Sequence, residues 1–162
     1  MFKRLIYTVS KMLKHKKQIS AVKDEHCLES VTRLSVEFLN KHNIKIVTLD
    51  FDGVLAAHGK LELNEEVKIW LDSFANEFGQ ENIFILSNKP TQVRLEYFKK
   101  YYPQIRFISG VAKKPYPDGL KKLIEIADCE PKTVALVDDR LLTGCLACII
   151  ADCYPILITK PY

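Results

Sequence analysis

The chain has 162 residues, 48% of them apolar and 27% charged, with six glycines and seven prolines, a composition that suits one soluble globular domain with its own core. Its net charge of +4 is unevenly placed: seven of the 24 Lys/Arg lie in residues 1–23, where there is no acid, which leaves 17 basic against 20 acidic residues in the remainder. An acidic body with one basic arm argues against nucleic-acid binding, no apolar run reaches the roughly 18 residues that span a bilayer, and the lysines scattered through residues 2–20 argue against a secretory signal peptide.

The arm, residues 1–23, predicts a basic amphipathic helix. Phe2, Leu5, Ile6, Val9, Met12 and Leu13 share one arc at helical spacing, with Lys3, Arg4, Lys11 and Lys14 opposite. Such a helix either packs on the domain or lies at a lipid–water interface, so peripheral membrane contact through residues 1–20 is one expectation. A mitochondrial presequence and a nucleic-acid-binding arm are weaker alternatives, the first because the arm favours Lys over Arg, the second because it lacks stacking aromatics.

Residues 26–42 repeat the helical period through Cys27, Val31, Leu34 and Phe38 and predict a second helix. From there strands and helices alternate. Strands are expected at 45–51, 82–87, 105–109, 133–138 and 155–159, with helices at about 64–78, 91–102, 117–128 and 141–151 between them. Asn64 is the expected N-cap of the first of these helices. The alternation implies an α/β domain over residues 24–162, in which a five-stranded parallel sheet is covered on both faces. The five cysteines, Cys27, Cys129, Cys145, Cys148 and Cys153, form no disulfide framework and read as reduced thiols. Cys145 and Cys148 have C-x-x-C spacing, but without a second ligand pair they read as small buried side chains.

Ligands of a parallel sheet bind beyond the carboxyl ends of its strands. Asp50 and Asp52 stand after the first strand, in "IVTLDFDGVL", and Ser87 with Asn88 after the second. Lys113 and Lys114 follow the third, Asp138 and Asp139 the fourth. Two or three carboxylates at one strand edge suit Mg²⁺ together with a substrate phosphate. A carboxylate also attacks phosphorus directly, and a second one exchanges protons with the leaving group and then with water. A hydroxyl, an amide and a lysine nearby hold the other phosphoryl oxygens, while Gly53 lets the backbone turn beside them.

In this order "DFDGVL", "SN", "KKP" and "VDDRLLTG" resemble the four motifs of the haloacid dehalogenase-like (HAD) phosphatase superfamily, over about residues 45–159. The resemblance implies a three-layer Rossmann-like fold and an aspartyl-phosphate mechanism. Asp50 would be the nucleophile, Asp52 the general acid/base, Ser87 a phosphate ligand and Lys114 a brace for nucleophile and phosphate. Asp139 would complete a Mg²⁺ site with Asp50 and the Asp52 carbonyl. Only 34 residues separate Asp52 from Ser87 and 26 separate Ser87 from Lys114, so neither gap has room for a cap domain. An open site favours substrates carried on something large. "VDDRLLTG" and the final "YPILITKPY" are most similar to the capless subclass IIIA, phosphatidylglycerophosphate phosphatase-like branch. That likeness implies a phospholipid headgroup as the phosphate ester and gives the arm a membrane-facing purpose. The sequence departs from the branch at Asp138, where glycine is usual, and at Gly144, where a second acid is usual. A phosphatase of a soluble ester or phosphoprotein, and a catalytically impaired binding module, are the alternatives. The expected location is cytoplasmic, peripheral to a membrane, or mitochondrial if residues 1–20 are a presequence.

Overall fold

Ile46, Val47, Thr48 and Leu49 are all buried, as a strand covered on both faces requires. They form β2, a central strand of a computed structural model that describes residues 2–162. Met1, the first residue of the arm, lies outside the described residues. The strands are β1 (Cys27–Leu28), β2 (Ile46–Leu49), β3 (Ile83–Ile85), β4 (Arg106–Phe107), β5 (Val134–Asp138) and β6 (Tyr154–Ile158). The helices are α1 (Phe2–Lys14), α2 (Lys16–Glu25), α3 (Val36–Lys41), α4 (Glu65–Phe78), α5 (Gln92–Tyr101), α6 (Asp118–Ala127) and α7 (Leu146–Ile150).

All strand pairs are parallel, in the order β1-β6-β5-β2-β3-β4. Alternate strand residues feed two cores. Val47, Leu49, Ile83, Ile85, Ala135 and Val137 meet Val67, Leu71 and Phe74 of α4 and Phe98 of α5. Ile46, Phe84, Val134 and Leu136 meet Leu120 and Leu123 of α6 and Ala147 and Cys148 of α7. Helices α4 and α7 thus cover opposite faces, and the crossovers leave the adjacent strands β2 and β5 in opposite directions. That reversal opens a crevice at the carboxyl ends of β2 and β5.

The sheet has six strands, not five, because residues 26–42 do not form the single helix their periodicity predicts. Two serines interrupt it. Ser30 accepts a hydrogen bond from the Thr32 amide at the head of a short 3₁₀ turn, and Ser35 accepts one from the Phe38 amide as the N-cap of α3. Each side chain offers the backbone a helix start where a continuous helix would need a helix interior. Cys27 and Leu28 are freed to add an edge strand to β6, in register with Leu157 and Ile158. Asn64 does precede α4, but its side chain makes no capping hydrogen bond.

The 141–151 segment begins with a π-helical turn, Leu141–Cys145, before α7. All five cysteines are free, and Cys145 and Cys148 are buried, as the reading of small core side chains requires. Between Asp52 and Ser87 the chain forms a loop, α4, a 3₁₀ turn and β3. Between Ser87 and Lys114 it forms α5, β4 and short loops. No inserted cap domain stands over the crevice among the described residues.

In the arm, α1 runs on into α2 through a bend at His15. Met12, Ile19 and Val22 pack on Cys145, Leu146 and Ile149, next to the turn that leaves β5. The rest of the apolar arc of α1 does not pack on the domain. Phe2, Leu5, Ile6, Val9 and Leu13 are exposed, with Phe2 at 74% and Leu13 at 66%. The helix is held instead through Tyr7, whose ring lies 4.4 Å from that of Tyr116, two residues beyond Lys114.

Candidate active site

Strand β2 ends at Leu49, so Asp50 is the first residue past the sheet, and its amide still bonds the Val137 carbonyl of β5 at 2.9 Å. The Asp50 carboxylate is buried; one oxygen accepts the Phe51 amide at 2.8 Å and the other meets Lys114 Nζ at 3.0 Å. Asp138, the last residue of β5, is fully buried and takes Lys114 Nζ at 2.5 Å and the Arg140 amide at 2.9 Å. Lys114 therefore lies buried between two carboxylates, and Asn88 Oδ1 fixes its backbone by accepting the Lys114 amide at 2.9 Å. The Lys114–Pro115 peptide is cis.

Asp139 stands on the outer side of this pair. One of its oxygens meets His58 Nε2 at 2.9 Å; the other, Oδ1, is buried without a hydrogen-bond partner. Asp50, Asp138 and Asp139 can each present an oxygen within 4.8 Å of the others. Asp50 and Asp138 share one lysine, and Asp139 Oδ1 has the exposed Arg140 guanidinium only at 3.9 Å, so the buried part of the cluster keeps surplus negative charge and that oxygen still lacks a hydrogen bond. A hard divalent cation relieves both, so the donor set fits one. Burial, reinforced by the nearby Asp138 charge, pushes the Asp50 carboxyl up to about 7 even though Lys114 opposes the shift. For Lys114, burial works against the charge, but Asp138 and Asp50 outweigh it and hold the ammonium above its ordinary value.

Asp52 is placed differently. The strand has already ended and the chain is turning, so the same-face geometry of a strand does not apply, and its carboxylate is not part of the three-carboxylate cluster. Arg94 Nη2 and Nη1 grip it at 2.8 and 3.2 Å, and the Gly59 amide adds a third bond at 3.2 Å. Partial burial disfavours its charge, yet Arg94 and Gly59 hold the carboxyl below its usual value.

Arg94 is itself only 2% exposed, with its guanidinium 3.7 Å from the centre of the Phe51 ring. It also donates to the carbonyls of Lys60 and Lys89, which ties the loop after β2 to the loop after β3. Sequence reading missed Arg94, but a signal exists: it lies one helical turn before the buried Phe98, at a core position of α5. His58, beside Asp139, carries no such signal.

Ser87, just past β3, is buried at 7% exposure, and its hydroxyl oxygen accepts the Lys89 amide at 3.1 Å. The side-chain oxygen of Asn88 is used on the Lys114 amide. Gly53 has φ +83°, a backbone conformation that disfavours a side chain, and a Cβ there would strike the Asp139 carboxylate and His58. Gly144, on the π-helical turn, lies against Asp138: a Cβ at this position would overlap the Asp138 carboxylate.

A family model described as "Mitochondrial PGP phosphatase" matches residues 4–161, nearly the whole chain, and the chain belongs to that family of phosphatases, which are phosphoric monoester hydrolases. No match was found among curated proteins or among solved structures. The family match takes in the basic arm together with the sheet. Among the described residues no helix is long and apolar enough to cross a membrane.

Two outcomes are expected from this geometry. Gly144→Ala forces Asp138 off Lys114 and lowers stability by about 2 kcal/mol in thermal or urea denaturation, in the range for overpacking. Adding Asp138→Gly to that variant removes the collision, so the two losses are not additive. The second outcome concerns pH. Asp50 has a folded pKa raised to about 7, so its protonated form is favoured in the fold, and the penalty for ionising it appears as pH rises through 7. Metal-free protein is therefore expected to gain thermal stability on going from pH 8 to pH 6, as far as this group decides it. A divalent cation should stabilise more at pH 8 and release protons on binding, which calorimetry in buffers of different ionisation enthalpy measures.

Proposed function

We propose that this member of the mitochondrial PGP phosphatase family removes the terminal phosphate of phosphatidylglycerophosphate, or a closely similar anionic phospholipid, as a capless HAD-type enzyme with an aspartyl-phosphate intermediate. The observation that carries the reading is the convergence of Asp50, Lys114, Asp138 and Asp139 at the crevice between β2 and β5.

In the first step an Asp50 oxygen attacks phosphorus, the O–P bond of the aspartyl-phosphate forms, and the bond to the glycerol oxygen breaks. That oxygen takes a proton from Asp52, which first turns away from Arg94 and picks up that proton from solvent as the substrate enters. In the second step Asp52 accepts a proton from water, the new P–O bond forms, and Asp50 departs as a carboxylate. Lys114 keeps its charge throughout, braced by Asp138, and offsets the charge on nucleophile and phosphoryl group. Ser87, with the Asn88 and Gly53 backbone region, holds the remaining phosphoryl oxygens. Asp50, Asp139 and the Asp52 carbonyl, with Asp138 beside them, would hold a Mg²⁺ ion, which would supply positive charge against those oxygens.

The membrane part of the reading rests on α1. Its exposed stripe, Phe2 to Leu13, lies on a helix rich in Lys and Arg, the pairing that suits an anionic lipid surface. Each cation adds about 1 kcal/mol near such a surface. The family's description supports a mitochondrial location over a cytoplasmic one. The arm packs on the domain and falls within the family match, which supports a working element and not a discarded presequence.

The test is phosphate release from phosphatidylglycerophosphate in liposomes with Mg²⁺, beside a soluble aryl phosphate. Wild-type protein is expected to turn over the lipid, and both Asp50→Asn and EDTA abolish it. Leu5→Glu with Val9→Glu should cut the liposome rate by about tenfold or more while leaving the aryl phosphate rate unchanged. Turnover of the aryl phosphate alone would reject the lipid substrate, and no turnover of either would reject the catalytic reading.

A further inference from the structure

Between α1, α2 and the π-helical turn after β5 lies a cleft of about 490 Å³, within the range of small-molecule sites. Its apolar wall is Met12 and Leu13 from α1, Ile19 from α2, and Leu141 and Leu142 from the turn, and Lys16 and Lys23 of α2 stand along it. Lys23 and Leu141 also line a second depression that reaches Asp139. The two depressions share these two residues, so they lie side by side between Leu13, at the end of the exposed stripe of α1, and Asp139, at the edge of the carboxylate cluster. No residue of the mechanism above lines the cleft.

Its chemistry is selective. A wholly hydrophilic phosphate ester has no use for five apolar side chains, two of which, Leu13 and Leu142, remain exposed. An uncharged lipid has no use for two lysines. A molecule with an anionic group one short bridge away from its reacting phosphate, and hydrocarbon beyond that group, uses every part.

We infer that this cleft is the subsite for the diester phosphate and the first acyl carbons of a single anionic phospholipid, drawn from the bilayer along α1 while its phosphomonoester reaches Asp50. The inference rests on the lipid reading above and adds to it where the rest of the substrate lies. Lys16 and Lys23 act as flexible point charges on the diester. Met12, Leu13, Leu141 and Leu142 cover the proximal chain carbons. Because the cleft lies outside the catalytic cluster, it sets affinity for the lipid and leaves the chemical step alone.

The experiment uses dihexanoyl phosphatidylglycerophosphate below its critical micelle concentration, where no membrane is present and recruitment by α1 plays no part. The full chain, Lys16→Glu/Lys23→Glu and Leu13→Asp are assayed on it and on the aryl phosphate. The expected result is a KM for the monomeric lipid raised about tenfold in both variants, with kcat held and with aryl phosphate kinetics unchanged. Wild-type turnover of the short lipid with unchanged KM in both variants overturns the cleft and leaves the lipid phosphatase standing. Parallel losses on both substrates assign these residues to the integrity of the site and also overturn it. A wild-type protein that cleaves the aryl phosphate and not the lipid overturns the lipid reading and the cleft with it. A dimer that the variants abolish in analytical ultracentrifugation makes a second copy of the chain the occupant instead.

Discussion

A lysine with no access to water, held between Asp50 and Asp138, is the constraint around which the crevice is built. A buried ammonium is tolerable only when it is paired and its donors are used, and losing one partner of such a pair costs roughly 3–5 kcal/mol. The two carboxylates come from the ends of β2 and β5, which are neighbours in the sheet, while the lysine arrives from the loop after β4. The reversal of crossover direction between β2 and β5 is what leaves room for it. The same clamp leaves the local charge unbalanced: Asp50 and Asp138 share one ammonium, and Asp139 adds a carboxylate whose guanidinium neighbour, the exposed Arg140, stands 3.9 Å off. The site therefore needs either a proton, which the raised Asp50 carboxyl can hold, or a cation from outside.

Asp138 and Gly144 look in the sequence like two separate departures from the pattern of related phosphatases. In three dimensions they are one. The space a side chain would enter at 144 is filled by the Asp138 carboxylate, so with Asp138 in place the turn after β5 has room only for glycine. A carboxylate is thereby present in this part of the crevice although position 144 has none, and it shares Lys114 with Asp50. The absence of an acid at 144 does not empty the site of charge. Gly53 makes the matching accommodation on the β2 side, where its missing Cβ leaves Asp139 its place.

The sheet, its parallel sense and the residues gathered at its edge were legible because they rest on local signals: short apolar runs, turn residues and polar groups at strand ends. What was not legible depended on partners distant in the chain. Cys27 and Leu28 become a strand only because β6 offers an edge 130 residues later, and a two-residue strand leaves no periodicity to detect. The apparent helix of residues 26–42 rested on spacing alone, and the serines that break it carry that information only once their capping bonds are seen. Asp52 parts from Asp50 because β2 ends at Leu49, before either aspartate, so no strand alternation carries the two to one face. Its actual partner, Arg94, is 42 residues away on α5.

The arm shows how an amphipathic pattern can be read correctly and still leave its orientation open. Periodicity fixes which residues share a face, not which face meets the protein. Here the domain takes Met12 from the edge of the apolar arc and Tyr7 from the opposite side, and the rest of the stripe faces outward. Solvent exposure of Phe2, Leu5, Ile6, Val9 and Leu13 is unfavourable in water, and a helix free to roll would bury them against its own domain. Tyr7 against Tyr116 resists that roll. Because Tyr116 follows Lys114 by two residues, the contact that orients the helix and the lysine that orients the nucleophile belong to one short segment. The part of α1 that carries Tyr7 is thus tied to the segment that lines the crevice at Asp50.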